Sequence, residues 1–208
     1  MNEPYAKNIS IEGRLIGAGH PTYFVADIAA NHDGSLSRAK ELIYMAAEAG
    51  ADAAKFQHFE AATIVSEKGF RALGNKASHQ ASWKKSVYEV YEAASLNPDW
   101  SMELKDECEK AGITFFTSPY SLEIVDNIDQ YVEAYKIGSG DITWLQIVTH
   151  IAKKNKPYII ATGASSLEDV QRTVEQATKI NKEIILLQCN TNYTASLENF
   201  KYIQLNVL

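Results

Sequence analysis

The sequence predicts an α/β fold, a (β/α)8 TIM barrel that is truncated here after about six βα units. Three observations predict it: strand-length apolar stretches, helical segments between them, and turn or capping residues where the two meet. Regular alternation of strand and helix favours a parallel sheet. A complete barrel typically has about 250 residues, whereas this chain has 208. We therefore expect residues 1–208 to be the N-terminal portion of one barrel domain that lacks its last two βα units.

The predicted strands have the length of buried strands and are rich in β-branched and aromatic residues. They are Tyr23–Ala29, Asp52–Phe59, Ile113–Ser118, Ala134–Ser139, Tyr158–Gly163 and Glu183–Cys189. Polar residues with possible chemical roles cluster where each of these strands ends. Because parallel α/β sheets bind ligands at the carboxyl ends of their strands, we expect the functional site at that edge.

Apolar residues at helical spacing separate the strands. The clearest sets are Ala39, Leu42, Ile43 and Ala46; Leu122, Val125 and Ile128; and Leu167, Val170, Val174 and Ala177. Gly50 and Gly112 stand where helices should end, and Ser166 with Asp169 forms an S-x-x-D capping pattern. These signals support the alternation of strand and helix.

The connection between the second and third strands is unusually long for a compact domain. A short helix is predicted from Ser86 to Ala94, and Pro98 with Asp99 is expected to open another. The polar stretch from Lys68 to Lys85 is interpreted as a mobile flap over the site.

Composition excludes several classes of protein. Twenty Lys and Arg against 26 Asp and Glu give a net charge of −6, which argues against a general nucleic-acid binder. No apolar run approaches the roughly 18 residues of a membrane helix, and the first residues lack the apolar core of a signal peptide. Cys108 and Cys189 need no disulfide in a chain of this size. We expect a cytoplasmic protein without membrane or nucleic-acid partners.

Two lysines are predicted to point into one cavity lined by the sheet. Period-two alternation places Lys55 and Gln57 on one face of the second strand and Lys136 on the corresponding face of the fourth. Lysine is almost never buried without a partner, so the pair favours an anionic ligand such as a phosphate or a carboxylate. Two alternatives stay open: pairing or snorkelling of each lysine, and a Schiff-base lysine.

Hydroxyls and a carboxylate accompany the lysines. Ser118, Ser139 and Ser166 end the third, fourth and fifth strands, where each is positioned to donate to phosphate oxygens; turn and capping chemistry explains them equally well. Asp27 lies inside the first strand, a costly place for a lone carboxylate. It is either the counter-ion of a lysine or a general acid or base. No complete metal site is expected, because no C-x-x-C or H-E-x-x-H motif is present.

Four motifs in order resemble the N-acetylneuraminate (sialic acid) synthase family, which includes legionaminate and pseudaminate synthases. They are N-H-x-G after the first strand, G-A-D-A-x-K-F-Q at the second, S-P-Y-S at the third and A-Y-K-I-x-S at the fourth. The resemblance is colinear from about Tyr23 to Leu208. It implies a TIM barrel that condenses phosphoenolpyruvate with an N-acetylated aldose, such as N-acetylmannosamine, to a nine-carbon α-keto acid with release of phosphate.

The resemblance also implies roles for individual residues. Lys55 and Lys136 would bind the phosphate or carboxylate, and Asp27 stands where the family commonly has Glu. Hydrogen bonds to the substrates would come from Ser118, Ser139, Ser166, Gln57 and Tyr193, the last two contacting the sugar. Gln188 and the run N-T-N-Y-T depart from the family pattern, which leaves the choice of acceptor sugar open.

What lies outside this chain matters for its activity. The resemblance implies a divalent metal, manganese or magnesium, held by histidines on later strands, and a homodimer whose C-terminal antifreeze-like domain supplies an arginine to the partner's site. The chain holds none of these parts, so the fragment is expected to be inactive by itself. A Schiff-base pyruvate aldolase and an inactive anion-binding fragment remain as alternatives.

Overall fold

The computed structural model describes residues 5–73 and 83–191. In chain order the strands are β1 (Asn8–Ile11), β2 (Arg14–Gly17), β3 (Val25–Ala29), β4 (Ala53–His58), β5 (Thr114–Pro119), β6 (Tyr135–Ile137), β7 (Tyr158–Ala161) and β8 (Ile184–Leu187). The helices are α1 (Leu36–Glu48), α2 (Ala61–Ile64), α3 (Glu67–Leu73), α4 (Val87–Ala94), α5 (Ser101–Ala111), α6 (Leu122–Ile128), α7 (Leu145–Ala152) and α8 (Leu167–Thr178). The six predicted strands are confirmed as β3 to β8.

The chain divides into two units, which we call the central unit and the split unit. The central unit is Phe24–Tyr131, and the split unit joins Met1–Tyr23 to Val132–Leu208. Each unit contains three of the confirmed parallel strands. Among the residues described, every helix is too short or too polar to span a lipid bilayer.

Parallel strands β3, β4 and β5 form the sheet of the central unit, with β4 between the other two. The register pairs Asp27 of β3 with Lys55 of β4, and Gln57 of β4 with Ser118 of β5. Most of β4 is buried, as expected for a parallel strand covered on both faces. The register therefore brings four of the predicted site residues together in adjacent pairs.

Helices α1 and α5 pack their apolar faces into the core of the central unit. Ile43 of α1 and Leu104 of α5 are fully buried. On the outer side, Lys40 forms an ion pair with Glu103, and the Tyr44 hydroxyl donates to Glu107 at 2.8 Å. These cross-helix bonds fix α5, whose first turn supports the end of β4.

Parallel strands β6, β7 and β8 form the sheet of the split unit, with β7 in the middle. Every residue of β7 is buried, and α7 and α8 supply apolar residues such as Ile147 and Val170. The hairpin β1–β2 was not predicted from the sequence. Its preceding residue Ala6 donates its backbone N–H to the carbonyl of Lys182 at 2.9 Å, which ties the hairpin to the loop before β8.

The long connection between β4 and β5 is more helical than predicted. The predicted helix at Ser86–Ala94 is confirmed as α4, which Ser86 and Glu89 begin with a reciprocal capping box. The first residues of the predicted flap Lys68–Lys85 lie in α3, and their role as a mobile flap stays a prediction. The rest of the predicted flap, up to residue 82, lies outside the described residues.

Gly112 ends α5 in a left-handed conformation, with a φ of 73°, so replacing it by alanine should destabilise the protein. We expect a loss of about 1 kcal/mol in the free energy of unfolding, because a Cβ is unfavourable in this region of φ and ψ. Urea denaturation followed by circular dichroism measures the loss. Gly140→Ala is the matched control, since its added Cβ would meet no atom within 4 Å and its φ is not positive. Equal losses in the two variants would contradict the left-handed cap as the cause.

Candidate active site

The most direct charge contact at the strand ends joins Asp27 and Lys55. The Lys55 ammonium donates to Asp27 Oδ1 at 2.8 Å. Lys55 is only 7% exposed, whereas the side chain of Asp27 is 58% exposed. The structure thus shows Asp27 as the counter-ion of a lysine, one of the two roles considered for it. Asp27 is the hydrogen-bond partner of the Lys55 ammonium among the described residues, which leaves two further N–H donors for an anionic ligand.

Gln57 and Ser118 lie beside each other on the neighbouring strands. The Gln57 amide donates to the Tyr120 hydroxyl at 3.3 Å, and Ser118 is buried within β5. Ser118 therefore belongs to a strand and not to a turn. Tyr120 was not singled out from the sequence, although it stands inside the S-P-Y-S motif. Its hydroxyl adds a polar group beside the two residues predicted to bind substrate.

His58 points away from Gln57 and bonds to two hydroxyls. Its Nδ1 lies 2.8 Å from Thr117 Oγ1 and its Nε2 lies 3.0 Å from Ser101 Oγ. Because Ser101 donates its own proton to the Pro98 carbonyl, it must accept from Nε2–H, and Thr117 then donates to Nδ1. This arrangement satisfies a neutral imidazole. Burial lowers the pKa of His58 to about 4, and nearby His32 lowers it further in the same direction.

His32 is a second buried histidine of the central unit. Its Nδ1 accepts from the Gly34 N–H at 3.1 Å, and its ring stands edge-on to Trp100 with centroids 6.0 Å apart. Burial lowers the pKa of His32, while Asp33 opposes that shift. Nε2 of His32 has no hydrogen-bond partner among the described residues. The fold thus places His32 and His58, which are far apart in the sequence, in the core of one unit.

In the split unit, Lys136 lies near a carboxylate that the sequence analysis missed. Burial raises the pKa of Asp141, and the charge of Lys136 opposes that shift. Asp141 ends the 3-10 turn Ser139–Asp141, directly after β6. The signal that could have found it is a carboxylate two residues beyond a predicted site serine. Lys136 and Asp141 thus repeat, in this unit, the lysine–carboxylate combination seen at Lys55.

Ser139 and Ser166 differ in what holds them. Ser139 lies against Gly163 at the end of β7, where a Cβ added to Gly163 would be 2.9 Å from Ser139 Oγ. Ser166 is the N-cap of α8 and donates its hydroxyl to Asp169 at 2.7 Å. The predicted capping pattern is therefore confirmed, and substrate roles for these serines stay predictions. Tyr193, predicted to contact the sugar, lies outside the described residues.

Two alanines at or just after strand ends adopt left-handed backbone conformations. Ala29 has a φ of 51° and Ala164 a φ of 55°. Ala29 also lies at an irregularity in the β3–β4 register, which changes the course of the chain after Asp27. Such strain is common beside ligand sites, where the surrounding fold holds an unfavourable conformation.

The described parts of the chain contain no group of three or more His, Cys, Asp or Glu side chains that could hold a metal ion. The lysine ammonium groups at the strand ends act only as donors, which suits anions, while the hydroxyls and the amide can also donate to anions or sugar hydroxyls.

The sequence of the chain is similar to one family model and to curated proteins. A sequence model described as the NeuB family matches residues 42–208. N,N'-diacetyllegionaminic acid synthase of Legionella pneumophila is 33% identical over 196 residues, covering 90% of this chain and 54% of that protein. N-acetylneuraminate-9-phosphate synthase of Homo sapiens is 32% identical over 188 residues, covering 90% of this chain and 52% of that protein. The chain spans about half the length of these curated relatives.

A solved structure gives the same result for the fold. N-acetylneuraminic acid (sialic acid) synthetase of Leptospira borgpetersenii has a TM-score of 0.81 and 23% identity, covering 98% of this chain and 66% of that chain. At this identity the likeness shows the fold alone. It confirms the predicted class, a barrel-type α/β fold with parallel strands.

Proposed function

Because the chain belongs to the NeuB family, as the motifs predicted, we propose that the whole protein condenses phosphoenolpyruvate with an N-acetylated aldose such as N-acetylmannosamine. The products are a nine-carbon α-keto acid of the sialic acid type and phosphate. The observation that carries the proposal is the buried ammonium of Lys55 held by Asp27 at the strand ends. It supplies the anion-binding group that phosphoenolpyruvate needs.

The proposed reaction forms one carbon–carbon bond and replaces the carbon–oxygen bond to phosphate by one to the oxygen of water. The enol carbon of phosphoenolpyruvate bonds to the aldehyde carbon of the open-chain sugar, whose oxygen takes a proton. Water adds to the resulting cation at the carbon that bears the phosphate ester. That carbon–oxygen bond then breaks, phosphate leaves, and the ketone of the α-keto acid remains. The negative charge of phosphate and carboxylate must be held throughout, which is the task of fixed cationic and hydroxyl donors.

In this proposal each side chain keeps the role that its position supports. Lys55 and Lys136 bind the phosphate or carboxylate, and Asp27 orients the Lys55 ammonium through their 2.8 Å contact. The remaining contacts to substrate are assigned to Ser118, Ser139, Ser166, Gln57 and Tyr193. Gln57 has its amide fixed by Tyr120, which suits recognition of a sugar hydroxyl.

A divalent metal, manganese or magnesium, is part of the proposal for the whole protein, where it would polarise the aldehyde oxygen. The described residues do not fit such an ion, because no group of metal-ligating side chains converges among them. The steps assigned to this chain are therefore anion binding and sugar positioning. A homodimer of the whole protein is likewise a proposal, which sedimentation tests.

A Schiff-base aldolase is the competing function on the same lysines. A Schiff base begins from a neutral, desolvated amine, whereas Lys55 is held in an ion pair with Asp27. Borohydride treatment with pyruvate followed by mass spectrometry distinguishes the two functions. We expect no reduced adduct on Lys55 or Lys136, and an adduct on either would favour the aldolase.

The proposed function predicts phosphate release that depends on an N-acetylated aldose. The whole protein is incubated with phosphoenolpyruvate, manganese or magnesium, and a panel of such sugars, and phosphate and α-keto acid are measured together. We expect equal amounts of the two products. Phosphoenolpyruvate carrying ¹⁸O in its bridging oxygen should give labelled phosphate, because the carbon–oxygen bond breaks. Absence of phosphate with every sugar, or label retained in the organic product, would contradict the proposal.

A further inference from the structure

Gly163 is placed firmly at the end of β7. The preceding residue, Thr162, donates both its backbone N–H and its hydroxyl to the carbonyl of Leu187, at 2.9 and 3.0 Å. These bonds tie the end of β7 to the end of β8. Because the backbone on this side is fixed, any atom added to Gly163 must be accommodated by the side chains around it.

Three side chains crowd the position that a Cβ of residue 163 would occupy. An added Cβ would be 2.7 Å from Thr191 Cγ2, 2.9 Å from Ser139 Oγ and 3.3 Å from Cys189 Cβ. The first two distances are shorter than real Cβ contacts. The φ of Gly163 is not positive, so backbone conformation does not require glycine. Space alone does.

We propose that Gly163 is a positioning residue for Ser139: its missing side chain admits the Ser139 hydroxyl and sets where that hydroxyl meets the anionic group of the substrate. The inference deepens the proposed function and rests on it for the identity of the anion. Gly163 itself was not among the predicted site residues. The positioning acts across three strand ends, since Ser139 follows β6, Gly163 follows β7 and Thr191 follows β8.

Small movements of the surrounding side chains can make room for an alanine at residue 163. Ser139 Oγ and Thr191 Cγ2 are the ends of short side chains that can rotate away from a new methyl group. Cys189 Cβ, at 3.3 Å, needs to move by only a few tenths of an ångström. An alanine at residue 163 should therefore fold normally while displacing the Ser139 hydroxyl, so the requirement for glycine is functional.

Gly163→Ala in the whole protein separates these two effects. We expect KM for phosphoenolpyruvate to rise about ten-fold, the order of one lost hydrogen bond to a charged group. The melting temperature should stay within about 2 °C of the wild type. Gly112→Ala should show the reverse, with lower stability and unchanged KM, because it strains a helix end in the other unit. If Gly163→Ala loses as much stability as Gly112→Ala and both variants show the rise in KM, the inference is overturned.

A double-mutant cycle tests whether the effect passes through Ser139. Ser139→Ala removes the hydroxyl, so adding Gly163→Ala to it should change KM no further. Two ten-fold losses that multiply would show that Gly163 acts independently of Ser139 and would overturn the inference.

Calorimetric binding of inorganic phosphate keeps this inference distinct from the proposed function. If the wild type releases no phosphate from phosphoenolpyruvate but binds phosphate, and Gly163→Ala binds it about ten-fold more weakly, the proposed function fails and the positioning role stands. If the wild type is active and Gly163→Ala matches it in both assays, the positioning role fails. A wild type that neither turns over nor binds phosphate overturns both.

Discussion

Replacing Lys55 by methionine in the whole protein should lower kcat/KM for phosphoenolpyruvate by about a hundred-fold or more, because fixed donors to developing charge in a closed site contribute on this scale. Lys55 is buried, so water cannot readily replace its ammonium when the substrate is bound. The loss should be visible in turnover as well as in KM if the charge that Lys55 holds grows during loss of phosphate.

The fold should survive this substitution. Methionine has a volume and length close to those of lysine, and its flexible thioether packs well in irregular cores. Removing one partner of a buried ion pair usually strands the other charge. Here the Asp27 side chain is 58% exposed, so its carboxylate stays hydrated after Lys55 is gone. We expect the melting temperature to be unchanged or slightly raised.

Steady-state kinetics and thermal denaturation on the same preparations measure both effects. Lys153→Met is the matched control. Lys153 is exposed at the end of α7, so this substitution makes the same chemical change outside the strand ends. A Lys55→Met variant with kcat/KM within three-fold of the wild type would remove Lys55 from the proposed site.

Strand periodicity was enough to predict the faces of β4 but not its partners. Alternation placed Lys55 and Gln57 on one face, and the structure agrees, since the next residue His58 bonds instead to Thr117 and Ser101. That Asp27 faces Lys55 depends on the register between β3 and β4, which no local pattern specifies. The ion pair was therefore one of two alternatives until the structure gave the register.

The hairpin β1–β2 was missed because its signals are weak. Each strand has four residues, and the turn residues Glu12 and Gly13 both have positive φ. Such a turn normally carries Asn or Asp at its first position, and a glutamate there does not indicate a turn.

Asp141 was missed for a different reason: its nearness to Lys136 arises from a 3-10 turn after β6, and strand alternation does not extend into a turn.

Acid should destabilise the central unit through His58. Its pKa falls from the ordinary value of 6.5 to about 4 in the folded protein, so between these values the unfolded chain binds a proton that the folded chain does not. The contribution of His58 to stability is therefore fully present above pH 6.5, falls as the pH is lowered, and is lost by pH 4. The whole shift corresponds to about 3 kcal/mol, of which about 2 kcal/mol is lost between pH 7 and pH 5.

The physical cause lies in the hydrogen bonds of the neutral ring. Nδ1 accepts from Thr117 while Nε2 donates to Ser101, and both hydroxyls are buried with it. A proton added to Nδ1 would face the hydroxyl proton of Thr117 and place a charge next to His32. Because the pKa of His32 is also lowered by burial, its titration adds to the acid sensitivity with the same sign.

Urea unfolding at pH 7, 6 and 5, followed by tryptophan fluorescence, measures this dependence before most carboxylates titrate. His58→Gln should be less stable than the wild type at pH 7 but should lose much less between pH 7 and pH 5, since the glutamine amide takes up no proton. His20→Gln, the same substitution in the split unit, is the matched control for the loss of an imidazole. If His58→Gln retains the full wild-type slope, the acid sensitivity comes from other groups, and the neutral imidazole assigned to the Ser101–Thr117 pair is wrong.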